Sequence, residues 1–181
     1  HGAMSRRPQT EIAILGALSI GPMTGYELRA AITDVLGDFW HESFGQIYPT
    51  LATLEESGSV RRATPGRTSG SRFEITSAGR AVLRERLAEP HTAPPPRNAL
   101  LLRLFFGSEL PPGRAAELLR AEIDRATTAL GRFAAIRAEV VAEPESEART
   151  FRSLTLSYGE HHARAHLTWA REALAALPQD V

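Results

Sequence analysis

The chain contains no cysteine and no lysine. The first absence excludes disulfides, thiolate metal sites and a cysteine nucleophile. The second places every basic charge on arginine: 21 arginines balance 21 carboxylates, so net charge alone points to no nucleic-acid partner. Long hydrophobic runs are also missing. The longest apolar stretch near the start, "IAILGALSI", follows Glu11, is too short to span a bilayer and leads to no small-residue cleavage site. A cytoplasmic protein with no membrane partner is the expectation. Enzyme signatures are missing as well: no P-loop, "GxGxxG", "HExxH" or nucleophile elbow occurs. His162 and His166 stand four apart in "HHARAH", but no third ligand lies at a telling distance, so no metal and no cofactor are expected. The chain reads as a non-enzyme.

What is present is an ordinary globular composition, 43% apolar and 23% charged over 181 residues, enough for one domain or two small ones. The charge is uneven. Residues 27–56 hold one arginine against six acids, whereas residues 61–86 hold seven arginines against two. Apolar periodicity predicts a helix over 8–20, ended by Gly21-Pro22. Thr24 and Glu27 form a capping-box pair, opening a second helix over about 25–36. Ser43 and Gln46 make another such pair for a third helix, which Gly58 stops. Pro49 is cheap only near a helix start, so the start cannot lie far upstream. Residues 59–76 alternate as short strands around "TPGRTSG", a β-hairpin with a basic tip. Ser77 is placed to cap a fourth helix.

A Pro-rich break, "PHTAPPP", precedes a second half that reads as all helical. "RNALLLRLFFG" is a short apolar helix. Two long helices follow, with stripes at Leu119, Ile123, Ala126, Leu130, Phe133 and Val140, and at Phe151, Leu154, Tyr158, Ala165 and Trp169. These stripes exceed what a thin intramolecular core can cover, so a coiled-coil-type subunit interface is expected. The expected organisation is a first domain over 5–89, a linker over 90–97, and a helical dimerisation and candidate effector-binding domain over 98–178.

Three helices, a hairpin and a helix within about 80 residues are the order of a winged helix-turn-helix, whose third helix enters the major groove. The fold class is therefore mainly α: a winged helix-turn-helix with a two-stranded β wing, then an all-helical dimerisation domain. The segments "ILGALSIGPMTGYELRAAI", "FWHESFGQIYPTLATLEESGSV" and "GSRFEITSAGRAVL" give the likeness a name. They resemble the PadR family of transcriptional regulators, whose pattern runs through "GP", "GYEL", "IYPTL", "LEE-G" and "Y-x-x-T-x-x-G". The sequence departs from that pattern at Thr24, where many relatives have His, at Phe73, usually Tyr, and at Glu74 in the wing. The resemblance implies a homodimeric repressor that binds an inverted-repeat, double-stranded operator and is released by a small molecule or other signal. The alternative is a winged-helix protein–protein module that binds no DNA.

At 100° per residue, Ile47, Leu51 and Leu54 face inward. The opposite arc presents Gln46, Pro49, Ala52, Thr53 and Glu56, with Tyr48 on its flank. Gln46 suits a bidentate contact to adenine, Thr53 a base or phosphate, and Pro49 a thymine methyl. For Gln46 the alternative is a pure helix cap, and for Tyr48, a phosphate contact or packing on the wing. Ser43 stands at the same helix start. Arg61, Arg62, Arg67 and Arg72, with Thr68 and Ser69 at the tip, are the candidate phosphate contacts. Thr24 and Tyr26 open the second helix, where N–H groups can hold a phosphate, although Tyr26 also fits a core position. Leu101, Leu104, Phe105, Leu119, Ile123, Leu130, Phe133, Phe151, Leu154, Tyr158, His162 and Trp169 are the candidates for the dimer interface or an effector pocket.

Overall fold

The computed structural model describes residues 7–36, 44–63, 70–91 and 96–178. The chain divides into two compact units, His1–Ala93 and Pro94–Val181.

The first unit runs α1 (Arg7–Ile20), β1 (Met23–Thr24), α2 (Gly25–Leu36), α3 (Phe44–Glu56), β2 (Val60–Arg62), β3 (Arg72–Ile75) and α4 (Ser77–Ala88). Its core is built on α1, where Ile14, Leu15 and Leu18 are fully buried among Leu28 and Ile32 of α2, Ile47, Leu51 and Leu54 of α3, Val60 and Leu83. Each such side chain contributes about 1.5–3 kcal/mol of burial free energy. The inward arc of α3 is the one its periodicity predicts.

The expected two-stranded wing is β2–β3, and a third strand that the sequence did not announce joins it. Three strands pair antiparallel in the order β1-β3-β2, with Met23 opposite Phe73, Thr24 opposite Arg72, Arg61 opposite Glu74, and Val60 opposite Ile75. Met23-Thr24 is too short to announce itself as a strand; pairing with β3 makes it one. Two observations concern helix ends, the second of them a correction. Pro49 is the sixth residue of α3 and lies past its first turn. Its missing N–H therefore leaves the Gly45 carbonyl without its usual helical partner, a cost eased by the first turn being close to the helix end. Thr76, not Ser77, caps α4: its Oγ1 accepts from the Gly79 N–H at 3.0 Å.

The same threonine ties α4 to the end of α3. Gly58 takes φ +75°, which favours glycine, and the Ser59 N–H donates back to the Leu54 carbonyl at 2.9 Å, closing α3 in a Schellman turn. The Thr76 hydroxyl donates to the Gly58 carbonyl at 2.7 Å, and the Thr76 N–H to the Ser59 carbonyl at 3.0 Å. Gly79 lies against that carbonyl so closely that a Cβ would stand 2.0 Å from its oxygen. The "T-x-x-G" of the sequence is thus a lock between the third and fourth helices.

In the second unit, α5 (Ala99–Phe105) starts at Asn98, whose side-chain oxygen accepts from the Leu100 and Leu101 N–H groups at 3.0 Å. A 3₁₀ turn, Gly107–Glu109, leads to α6 (Arg114–Ala142) and α7 (Glu147–Ala176), which form an antiparallel hairpin. Buried positions fall seven apart on both helices, at Leu119, Ala126, Phe133 and Val140 and at Leu156, Ala163 and Ala170. That spacing is the 3.5-residue period of a coiled-coil seam. Gly159 lets α7 approach the Phe133 ring; a Cβ there would lie 2.8 Å from its tip. Arg137 and Glu160 close the seam with two bonds of 3.0 and 3.1 Å.

Candidate nucleic-acid interface

The start of α2 is built as its capping box predicts. The Thr24 N–H donates to Glu27 Oε2 at 2.8 Å, and Thr24 Oγ1 accepts from the Glu27 N–H at 3.1 Å. The Thr24 N–H bond, ahead of the charge on Arg72, holds the Glu27 carboxyl below its ordinary range. Tyr26 stands beside this cap and is 76% exposed, which excludes the core alternative.

On α3, Gln46, Tyr48, Pro49, Ala52 and Thr53 form the outward arc, all exposed. The Tyr48 ring leans on α2: a Cβ on Gly25 would meet its Cε1 at 2.8 Å. The glycine of "GYEL" therefore makes room for the tyrosine of "IYPTL", setting the crossing of α2 and α3. Thr53 donates its hydroxyl to the Pro49 carbonyl at 3.1 Å, and Thr53 Oγ1 keeps lone pairs that can accept from a ligand.

The three wing arginines among the described residues are engaged. Arg61 pairs with Glu74 directly across the two strands. Arg62 makes two bonds to Glu55 at the end of α3, 2.8 and 3.3 Å, and lies 5.4 Å over the Phe73 ring. The hydrogen bond to Glu55, with its charge, raises the Arg62 pKa above its ordinary value. Arg72 donates to the Pro22 carbonyl at 2.8 Å and stands 3.3 Å from Glu27. Among the described residues, each predicted phosphate-binding arginine thus faces a carboxylate. Sequence reasoning missed Glu27, Glu55 and Glu74 in this role. Strand register offers a signal for the Arg61–Glu74 pair, but the Arg62–Glu55 pair depends on how β2 folds back beside α3.

The structure brings Thr24, Tyr26 and Arg72 together around the α2 start, and Gln46, Tyr48, Pro49 and Thr53 onto one arc. Ser43, Arg67, Thr68 and Ser69 lie outside the described residues, so the expected Ser43–Gln46 cap does too. In the second unit the predicted residues separate. Leu101, Phe105, Phe151, Leu154, Tyr158 and His162 are exposed, while Leu104, Ile123, Leu130 and Trp169 are half-buried. Leu119 and Phe133 are corrected: both are already buried within the chain, at 1% and 6% exposure, so they belong to its own core. The predicted stripe of α7 is its open face, and the inward one (Leu156, Ala163, Ala170) was missed because two of its three residues are alanines. Along the open face, the rings of Tyr158, His162, His166 and Trp169 stack in series, with centroids 5.3–6.0 Å apart. His166 Nε2 lies 2.6 Å from Glu122 on α6. No group of three or more metal-ligating side chains occurs among the described residues, and none of their helices is long and apolar enough to cross a membrane.

Residues 14–85 match the transcriptional regulator PadR-like family, and residues 96–178 match the virulence activator alpha C-terminal family. Both matches are to regulator families, not to enzymes. The negative transcriptional regulator PadR of Bacillus subtilis is 24% identical over 180 residues, covering 93% of this chain and 97% of its own. Among solved structures, Bacillus subtilis PadR in complex with operator DNA superimposes with a TM-score of 0.78 at 23% identity, covering 92% of this chain and 97% of the other. PadR in complex with p-coumaric acid gives 0.73 at 24% identity, covering 91% and 96%.

Proposed function

We propose, from the premise that the chain belongs to the PadR-like family of transcriptional regulators, that it acts as a homodimeric repressor on an inverted-repeat DNA operator. The observation that carries this reading is the outward arc of α3, where Gln46, Pro49 and Thr53 stand exposed beside the wing. In this reading α3 enters the major groove, where Gln46 reads adenine and Pro49 contacts a thymine methyl. Arg61, Arg62, Arg67 and Arg72, with Thr68 and Ser69, meet the flanking phosphates. Ser43, Thr24, Tyr26 and Tyr48 approach the backbone near the starts of α2 and α3. Phe151, Leu154, Tyr158 and the exposed apolar side of α5 form the dimer contact. A small molecule or other signal acting on the helical unit releases the DNA, in keeping with the p-coumaric acid complex of Bacillus subtilis PadR.

A gel shift on the DNA upstream of the chain's own gene, repeated over a salt series, tests the reading. A complex that weakens as salt rises is expected. Its absence there and on a library of genomic fragments overturns the proposal. The carboxylate pairing of Arg61, Arg62 and Arg72 favours a second reading, a winged-helix protein–protein module. Arg67→Ala and Arg72→Ala separate the two: lost DNA binding supports the repressor, whereas unchanged capture of a protein partner supports the module.

A further inference from the structure

We infer that Glu55 and Glu74 mask the wing: by occupying Arg62 and Arg61, they hold down the chain's affinity for DNA phosphate, on the operator and off it. The inference rests on the DNA-binding reading above. Neither glutamate is explained by local structure. Glu55 sits in the last turn of α3, where the helix dipole disfavours an acid, and Glu74 sits in a strand, where glutamate is depleted. What each does have is an arginine: two bonds to Arg62 for Glu55, and a directly opposed Arg61 for Glu74.

The consequence follows from where non-specific affinity comes from. Binding to random duplex derives almost entirely from arginine and lysine neutralising phosphates. Here Arg61 and Arg62 reach a phosphate only by leaving a carboxylate, which then stands unpaired beside the incoming anion. On random sequence the arginines stay with their carboxylates and add nothing. On the operator, where base contacts from α3 hold the wing against the backbone, they exchange, and the broken pairs are subtracted from the affinity. Glu55 and Glu74 thereby hold down binding to both while touching no base. Glu27 is set apart, because it also closes the cap of α2 and its arginine has a second partner in the Pro22 carbonyl.

The test uses the full chain, with Glu55→Gln, Glu74→Gln and the double variant. The probes are a 30-base-pair duplex of random sequence and the DNA upstream of the chain's own gene, each titrated over a salt series. On the random duplex, each substitution should tighten binding by up to about fivefold, the strength of one exposed ion pair. The salt slope there should steepen by about 0.9 for each arginine freed. Upstream DNA should tighten by at least as much, because there the broken pairs no longer count against binding. Glu55→Asp and Glu74→Asp keep the charge and should bind random duplex as the parent does. Random-duplex affinity and slope that stay the same or drop in the Gln variants overturn the inference, as does a rise in the Asp variants. If the parent binds upstream DNA and the Gln variants match it on both probes, only this inference falls. If parent and variants bind neither probe, the repressor reading falls with it. If only the double variant binds random duplex, the masking role stands and operator binding does not.

Discussion

Replacing Gly79 by alanine should unlatch α4 from the end of α3. The new methyl would stand 2.0 Å from the Ser59 carbonyl oxygen and 2.9 Å from the Ile75 side chain. An ordinary carbon–oxygen contact is about 3.3 Å, so the first turn of α4 must move by about 1.3 Å. The obstacle is backbone, pinned from the other side by the Ser59 N–H bond to Leu54, so it has little room to retreat. The movement strains the Thr76 cap and the bonds from Thr76 to Gly58 and Ser59. Overpacking costs about 1–3 kcal/mol, and a damaged N-cap about 0.5–2 kcal/mol. The gain from glycine to alanine inside a helix returns at most about 1 kcal/mol. The net expectation is a loss of about 2–4 kcal/mol. Hydrogen exchange of α1 and α4 amides in rising urea reads the first unit alone, and for a slope of about 2 kcal/mol per molar the midpoint should drop by about 1–2 M. Gly16→Ala is the control, since a Cβ there meets nothing within 4 Å; it should stabilise by up to about 1 kcal/mol. Equal midpoints for Gly79→Ala and Gly16→Ala would refute the latch.

Thr24→Ala removes the oxygen that accepts from the Glu27 N–H and should destabilise the first unit by about 0.5–2 kcal/mol in the same exchange measurement. Gln46→Ala should cost about 1–3 kcal/mol on one operator base pair and little elsewhere, whereas Arg67→Ala should weaken all DNA alike; equal losses on every sequence for both variants would contradict the assignment. Leu154→Glu with Tyr158→Glu changes only exposed positions, so sedimentation should find a folded monomer, while Phe133→Ala should cost the helical hairpin about 3–5 kcal/mol. The Arg137 hydrogen bonds hold the Glu160 carboxyl below its ordinary 4.5. The pair therefore stabilises the hairpin above that pH, and its contribution is lost as pH falls through the lower folded-state value. Urea melts across this range should show Glu160→Gln flattening the acid-side loss of stability; an unchanged slope would remove Glu160 from the account.

The residues that cap and stop helices were legible because they act within one turn. Thr24 with Glu27, and Gly58 after Glu56, behave as their spacing implies. Ile47, Leu51 and Leu54 were legible because a 3.6-residue period marks an inward arc before any partner is known. The candidate α3 surface followed by subtraction. Local rules failed where two reasonable residues competed, as at Thr76 and Ser77. There the choice fell to the threonine because its hydroxyl also reaches Gly58, 18 positions away in sequence.

By itself, then, the sequence determined the helices, most of their ends, the hairpin and the family likeness, all consequences of short-range backbone chemistry and periodicity. Only the tertiary structure decided three things. It made a strand of Met23-Thr24, since a ladder exists only once β3 arrives to share it. It chose which face of α7 turns inward, since two alanines and a leucine pack on α6 better than bulkier side chains would at that close approach. And it set Arg61, Arg62 and Arg72 each against a carboxylate, an arrangement that for Arg62 and Arg72 rests on proximity between distant segments.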